Sequence, residues 1–190
     1  MSIGTVPTIY DSVVPVGDVA WTDDSKADIE DGLSATATLN SGLPSTDQIA
    51  LLVTSGDLSS ACPGLTNPAT QVSLIEVRIK AKTTNGAATV SYLAVGTPDS
   101  GFIGFQEVDS ATLAWFTTDV TTDTMLLHFL ETVIANTSSY LLFSVTSTPP
   151  VGDNTVSVDA VEVRITYTVT SDDDGETEIV STLTLFEGAD

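Results

Sequence analysis

At 190 residues the chain has the length of one domain that buries its own core without help from disulfides or metals. Its 26 acidic residues against 5 basic ones give a formal charge of −21, a sign that repels phosphate backbones and anionic lipid headgroups and argues against nucleic-acid and membrane partners. A hydrophobic share of 42% and a positive mean hydropathy of +0.24 argue against disorder despite that charge.

Residues 1–20 carry Pro7 and Pro15 among scattered Val and Ile without sustained alternation, which predicts an extended N-terminal arm rather than a strand inside a sheet. A body of residues 21–170 starts at Trp21. An acidic loop with Asp23, Asp24, Asp28 and Asp31-Gly32 follows, and the alternation of Leu33, Ala35, Ala37 and Leu39 then predicts the first strand. Gly42 and Pro44 mark a turn, Ile49 to Thr54 reads as an apolar strand, and Ser55 to Thr70, with Pro63, Gly64 and Pro68, as a long loop.

From Val72 to Lys82 the apolar residues Ile75, Val77, Ile79 and Ala81 share one parity while Glu76, Arg78, Lys80 and Lys82 share the other, the signature of a half-buried strand. Asn85-Gly86 is a strong hairpin signal and predicts that this strand pairs antiparallel with Thr89 to Val95. Strands are then expected at Phe102 to Val108, Leu113 to Phe116, Met125 to Val133 and Tyr140 to Thr146, with no amphipathic helical stripe among them. The tetrapeptide Glu76-Val77-Arg78-Ile79 returns as Glu162-Val163-Arg164-Ile165, and the two copies hold the only arginines. Both are taken as central strands, the second with Val161, Val163, Ile165, Tyr167 and Val169 facing inward. Nine to ten short strands predict an all-β, antiparallel β-sandwich of jelly-roll type with extended N- and C-terminal arms.

Residues 171–190 form an acidic linker, Asp172 to Glu176, and an apolar strand-like tail. Such a tail is costly in water unless covered, and both parities are apolar, so Ile179, Val180, Leu183, Leu185 and Phe186 are expected to meet a partner edge. Pairing within the chain's own sheet is the alternative.

Chemistry is sparsely signposted. Cys62 is the only cysteine, so no intrachain disulfide or thiolate metal pattern exists, and His128, the only histidine, is expected in a strand without a catalytic role. No pattern asks for a cofactor. Asp172, Asp174 and Glu176 are candidate oxygen ligands for calcium but lack the alternate spacing and terminal Glu of an EF-hand loop. Tyr92, Phe102, Phe105 and Trp115, in consecutive predicted strands, are candidates for a sugar-stacking platform. Residues 1–20 contain no Lys or Arg and no continuous apolar core of an export signal, and no later stretch has the length to cross a bilayer.

Trp21, the acidic loop with Asp31-Gly32, Ser34 to Leu39, a strand like Leu74 to Lys82, and the closing Val158-Asp159-Ala160-Val161-Glu162-Val163-Arg164-Ile165-Thr166-Tyr167 together resemble a jelly-roll domain common in virion proteins of tailed bacteriophages and in some bacterial surface proteins. The resemblance covers about Trp21 to Thr170 and implies strands, not a catalytic site. It implies a stand-alone, non-enzymatic virion protein: a capsid decoration or cement protein on the outer surface of the shell. There the body would self-associate as a homotrimer and its arms would bind the major capsid protein. The alternative it leaves is a tail-fibre, spike or head-fibre module that binds a host-surface glycan through the aromatic strands. An enzyme acting on cell-wall polysaccharide is a third.

Overall fold

The computed structural model describes residues 19–23, 31–40, 46, 49–53, 55–95, 100–135, 139–147, 153–171 and 175–184. In chain order the elements are β1 (Ala35–Leu39), β2 (Ile49–Val53), α1 (Ser55–Ala61), α2 (Pro68–Gln71), β3 (Val72–Thr83), β4 (Ala88–Val95), β5 (Ser100–Val108), β6 (Ala114–Asp119), α3 (Thr124–Ile134), β7 (Ser139–Ser147), β8 (Asn154–Ser171) and β9 (Gly175–Thr184).

The strands form two antiparallel sheets, one in the order β1-β8-β3-β6 and the other β2-β7-β4-β5. Strand pairs β1·β8, β2·β7, β3·β6 and β4·β5 are those of a long antiparallel hairpin rolled over on itself. That is the jelly roll, a sandwich whose two inner faces share one core.

The two copies of the repeated tetrapeptide are direct neighbours. Val77 lies opposite Val163, Glu76 opposite Arg164 and Arg78 opposite Glu162. An antiparallel pair reverses one copy against the other, so Glu-Val-Arg is complementary to itself: valines meet on the core face and each Glu meets the other copy's Arg on the outer face. Ile75, Val77, Ile79, Ala81, Val161, Val163, Ile165 and Tyr167 are all buried, as the alternation predicted. Between Lys80 and Ala81 the register slips by one, leaving Asp159 as the extra residue of a bulge in β8. Core positions therefore switch parity, from Val156 and Val158 before the bulge to Val161 and Val163 after it.

Three expectations about local structure are corrected. Asn85-Gly86 does make a tight turn, with Gly86 at φ +80°, but it does not make a hairpin: β3 and β4 lie in different sheets. Both edges of β3 are taken by β8 and β6, so β4 cannot pair with it. The turn instead crosses the sandwich, held by Asn154 Oδ1, which accepts from the amides of Thr84 and Asn85 at 3.2 and 3.0 Å.

Met125 to Val133 is helical rather than a strand. Leu126, Phe129, Leu130 and Val133 fall at i, i+3, i+4 and i+7 and are all buried, while Asp123 Oδ1 accepts the Leu126 amide at 3.3 Å as an N-terminal cap. The stretch predicted as a loop from Ser55 to Thr70 holds α1 and the start of α2. Leu58 and Cys62, one turn apart, are buried, and Gln71 Oε1 accepts the amides of Thr66 and Asn67 while its Nε2 donates to Gly64 O and Thr168 O. Gly64, at φ +83°, lies against Val169, and a Cβ there would sit 3.1 Å from Val169 Cγ2.

The described part of the tail belongs to the body. β9 pairs antiparallel with β8 from Gly175 opposite Ser171 to Thr184 opposite Glu162. Ile179 packs on the core and Val180 is 51% exposed. β1 takes the same edge of β8 nearer its start, so β8 carries two strands end to end. Of the two readings of the tail, the described residues take pairing within the chain's own sheet, in a hairpin that satisfies the backbone groups a detached strand would leave open; Leu185 and Phe186 lie outside the described residues. At the other terminus Thr22 exchanges two backbone hydrogen bonds with Thr36 on the outer edge of β1, and Val19 bridges to Thr46. Residues 1–18 lie outside the described ones.

Candidate functional site

The outer face of the β1-β8-β3-β6 sheet gathers most of the chain's positive charge. Of the five basic residues, Arg78, Lys80 and Lys82 lie on β3 and Arg164 on β8. Arg78 Nη1 is 3.0 Å from Glu162 Oε2, and its guanidinium stands 4.4 Å from the centroid of the Trp115 ring on β6. Arg164 Nη1 is 3.8 Å from Glu76 Oε2. Lys80 Nζ lies 3.0 Å from Asp159 Oδ2, an ionic contact without the direction of a hydrogen bond. Asp159 is fully buried, and its Oδ1 accepts the amide of Gly32 at 2.9 Å, which ties the acidic loop before β1 to the β8 bulge.

This face is a charge-compensated surface rather than a reactive one. Each of Arg78, Arg164 and Lys80 stands against a carboxylate, so none offers a bare cation to a substrate. Asp119, at the end of β6, is held below the usual carboxylate range by the Thr121 hydroxyl and then by the Thr121 amide.

The four aromatic residues proposed as a sugar platform do not share a face. Tyr92 is fully buried; burial pushes its phenol upward against a smaller opposing effect of Thr118, and its hydroxyl makes no well-formed hydrogen bond. Phe105 is 61% exposed on β5, at the edge of the second sheet, whereas Trp115 lies on the first sheet beneath Arg78. Phe102 is in β5 opposite Leu93, and its side chain lies outside the described residues. Consecutive strands of a jelly roll need not be neighbours: β5 and β6 are in different sheets, so proximity in sequence did not bring Trp115 beside Phe105.

His128 stands on the exposed side of α3 with Nδ1 3.1 Å from Glu131 Oε2. Cys62 is buried; burial pushes its thiol up to about 11, with a smaller lowering from a hydrogen bond to Ser181. Such a thiol stays protonated and inert at neutral pH. Among the candidate calcium ligands, Asp172 and Asp174 lie outside the described residues and Glu176 sits opposite Thr170 in the β8–β9 hairpin. Among the described residues no group of three or more His, Cys, Asp or Glu is placed to hold a metal ion.

Two features escaped the sequence. Asp159 reads as one more polar residue in a strand, and only the bulge reveals it as a buried tie; the parity break between Val158 and Val161 is the signal that points to it. A pocket of about 300 Å³ lies between α1, the segment after it and the end of α3, lined by Ser55, Leu58, Ser59, Leu65, Thr66 and Ile134 among others. It depends on helices that the sequence reading did not predict.

No family model matches the chain, and no curated protein matches it. Among solved structures the chain is similar to that of TmCBM61, a carbohydrate-binding module, in complex with beta-1,4-galactotriose: 10% identical, TM-score 0.36, covering 74% of this chain and 83% of that one. The architecture is an antiparallel β-sandwich, by the strand pairing described above.

Proposed function

We propose that this chain is a non-enzymatic structural protein of a virus particle, a capsid decoration or cement protein that sits as a homotrimer on the outer surface of the major capsid protein shell. The observation that carries the reading is the jelly-roll pairing of β1·β8, β2·β7, β3·β6 and β4·β5, an architecture that recurs in capsids and in lectins. Fold alone does not choose between those two uses. What supports the first is that three of the candidate platform residues do not come together: Tyr92 is buried, and Phe105 and Trp115 lie on different sheets. A net charge of −21 also suits a position outside the shell, away from packaged nucleic acid.

The test is to add purified chain to shells that lack it. Saturable binding confined to the outer surface, seen by electron microscopy, is the expected result. Binding to host cells that a free glycan competes away, with none to shells, would favour the fibre or spike reading instead.

A further inference from the structure

Beyond that reading, the turn that crosses from β3 to β4 assembles the parts of a reaction that the chain can perform on itself. Asn85 and Gly86 are both exposed. The Asn85 amide is held by Asn154 Oδ1 at 3.0 Å, and the Gly86 carbonyl accepts from Thr83 Oγ1 at 2.8 Å and from Asn154 Nδ2 at 3.4 Å. Between these fixed groups, the Gly86 amide donates to no acceptor among the described residues. Glycine puts no side chain beside that nitrogen, and beyond its chain neighbours nothing lies within 4 Å of where a Cβ would be. An unengaged amide nitrogen thus follows directly on the Asn85 carboxamide.

The other asparagines lack one or more of these conditions. Asn154 is buried, and the amide after it, that of Thr155, donates to Thr84 Oγ1 at 2.8 Å. Asn67 precedes Pro68, whose nitrogen carries no hydrogen to give up. Asn40 and Asn136 precede Ser41 and Thr137, whose Cβ atoms crowd the attacking nitrogen as glycine does not.

We propose that Asn85 is a site of spontaneous deamidation in the folded chain. The Gly86 nitrogen attacks Asn85 Cγ; the new N–Cγ bond forms, the Cγ–Nδ2 bond breaks, and Nδ2 leaves as ammonia with the proton that the Gly86 nitrogen loses. Water then opens the cyclic succinimide, at Cγ to give aspartate or at the main-chain carbonyl carbon to give isoaspartate. One water is consumed and one ammonia released, with no change of oxidation state. Either product acts on the crossover. Asn85 Nδ2 donates to Asp153 O at 3.3 Å, and a carboxylate there sets acceptor against acceptor. Isoaspartate also adds a methylene to the main chain where Asn154 Oδ1 holds the amides of Thr84 and Asn85. Because this turn joins the two sheets, its loosening lowers the stability of the sandwich.

The experiment uses purified full-length chain, away from any particle, so its failure leaves the virion reading untouched. The chain is aged at mildly alkaline pH, which favours the deprotonated amide nitrogen, beside a peptide of residues 82–89, and both are mapped by mass spectrometry. Progressive loss of the Asn85 amide to a mixture of aspartate and isoaspartate is expected in both, with Asn154 unchanged. An Asn85 that stays an amide in the folded chain, whether or not the peptide reacts, would overturn the proposal. As a second measurement, the aged form is separated on anion exchange by its added charge. Its melting temperature should fall below that of the fresh chain, and Asn85→Gln, whose longer side chain closes a ring far more slowly, should age without that fall. An equal fall in Asn85→Gln, or none in the separated form, would overturn the effect assigned to the crossover.

Discussion

Arg78 and Glu162 face each other across the β3–β8 pair with Nη1 3.0 Å from Oε2, and the relationship follows from a tetrapeptide pairing with its own reversed copy. Cross-strand pairs of opposite charge contribute roughly 0.2–1 kcal/mol, and partial exposure of both side chains keeps this one in that range. Glu162→Lys, which sets like charges opposite each other, should destabilise the fold, and Arg78→Glu added to it should restore part of the loss. A double-mutant cycle in urea measures the coupling; none at all would mean that the register is not as described.

Asp159 is the residue of greater consequence on that face. Fully buried, it joins Lys80 and the Gly32 amide, so its removal takes a carboxylate from beside the Lys80 ammonium and opens the loop before β1. Asp159→Ala should cost about 3 kcal/mol, and in the Lys80→Met background it should cost less, because the ion pair it breaks is already absent there. A cost below about 1 kcal/mol would be that of a surface pair, not a buried one.

Helix α3 offers a contrast between two residues two positions apart. Leu130 is fully buried and His128 is exposed beside Glu131. Leu130→Ala should cost about 2–5 kcal/mol, and His128→Ala should stay within about 0.5 kcal/mol. Thermal melts followed by circular dichroism separate these outcomes. If the stretch were a strand, 128 and 130 would share a face and the two substitutions would have similar effects.

Much of the fold was legible because the strands that dominate it alternate cleanly. β3 and β8 carry Ile75, Val77, Ile79, Val163, Ile165 and Tyr167 on one parity, and a half-buried sheet admits no other register. The helix was hidden because Met125-Leu126-Leu127-His128-Phe129-Leu130 is apolar on nearly every side, and a short apolar run does not distinguish a buried strand from a helix in a sandwich core. Asn85-Gly86 misled because it specifies a tight turn, whereas whether the flanking strands pair depends on which edges are already taken. Trp115 lies apart from Phe105 for a related reason: β5 and β6 follow each other in sequence but belong to different sheets.

β9 makes the tail testable in a way the sequence could not. Ten residue pairs join β9 to β8, and Ile179 packs on the core beside Tyr167. Truncation after Ser171 should therefore lower the melting temperature markedly and expose apolar surface to a hydrophobic dye. A body that melts as the parent does would return the tail to the role of a detachable arm.

The measurement that bears most directly on the proposed role is the copy number of this chain in purified particles, read by quantitative mass spectrometry against the shell protein. A fixed ratio in which the chain approaches the abundance of the shell protein, lost when the outer surface is stripped, is the predicted result. Absence from particles, or recovery only in the tail fraction at far lower abundance, would contradict it.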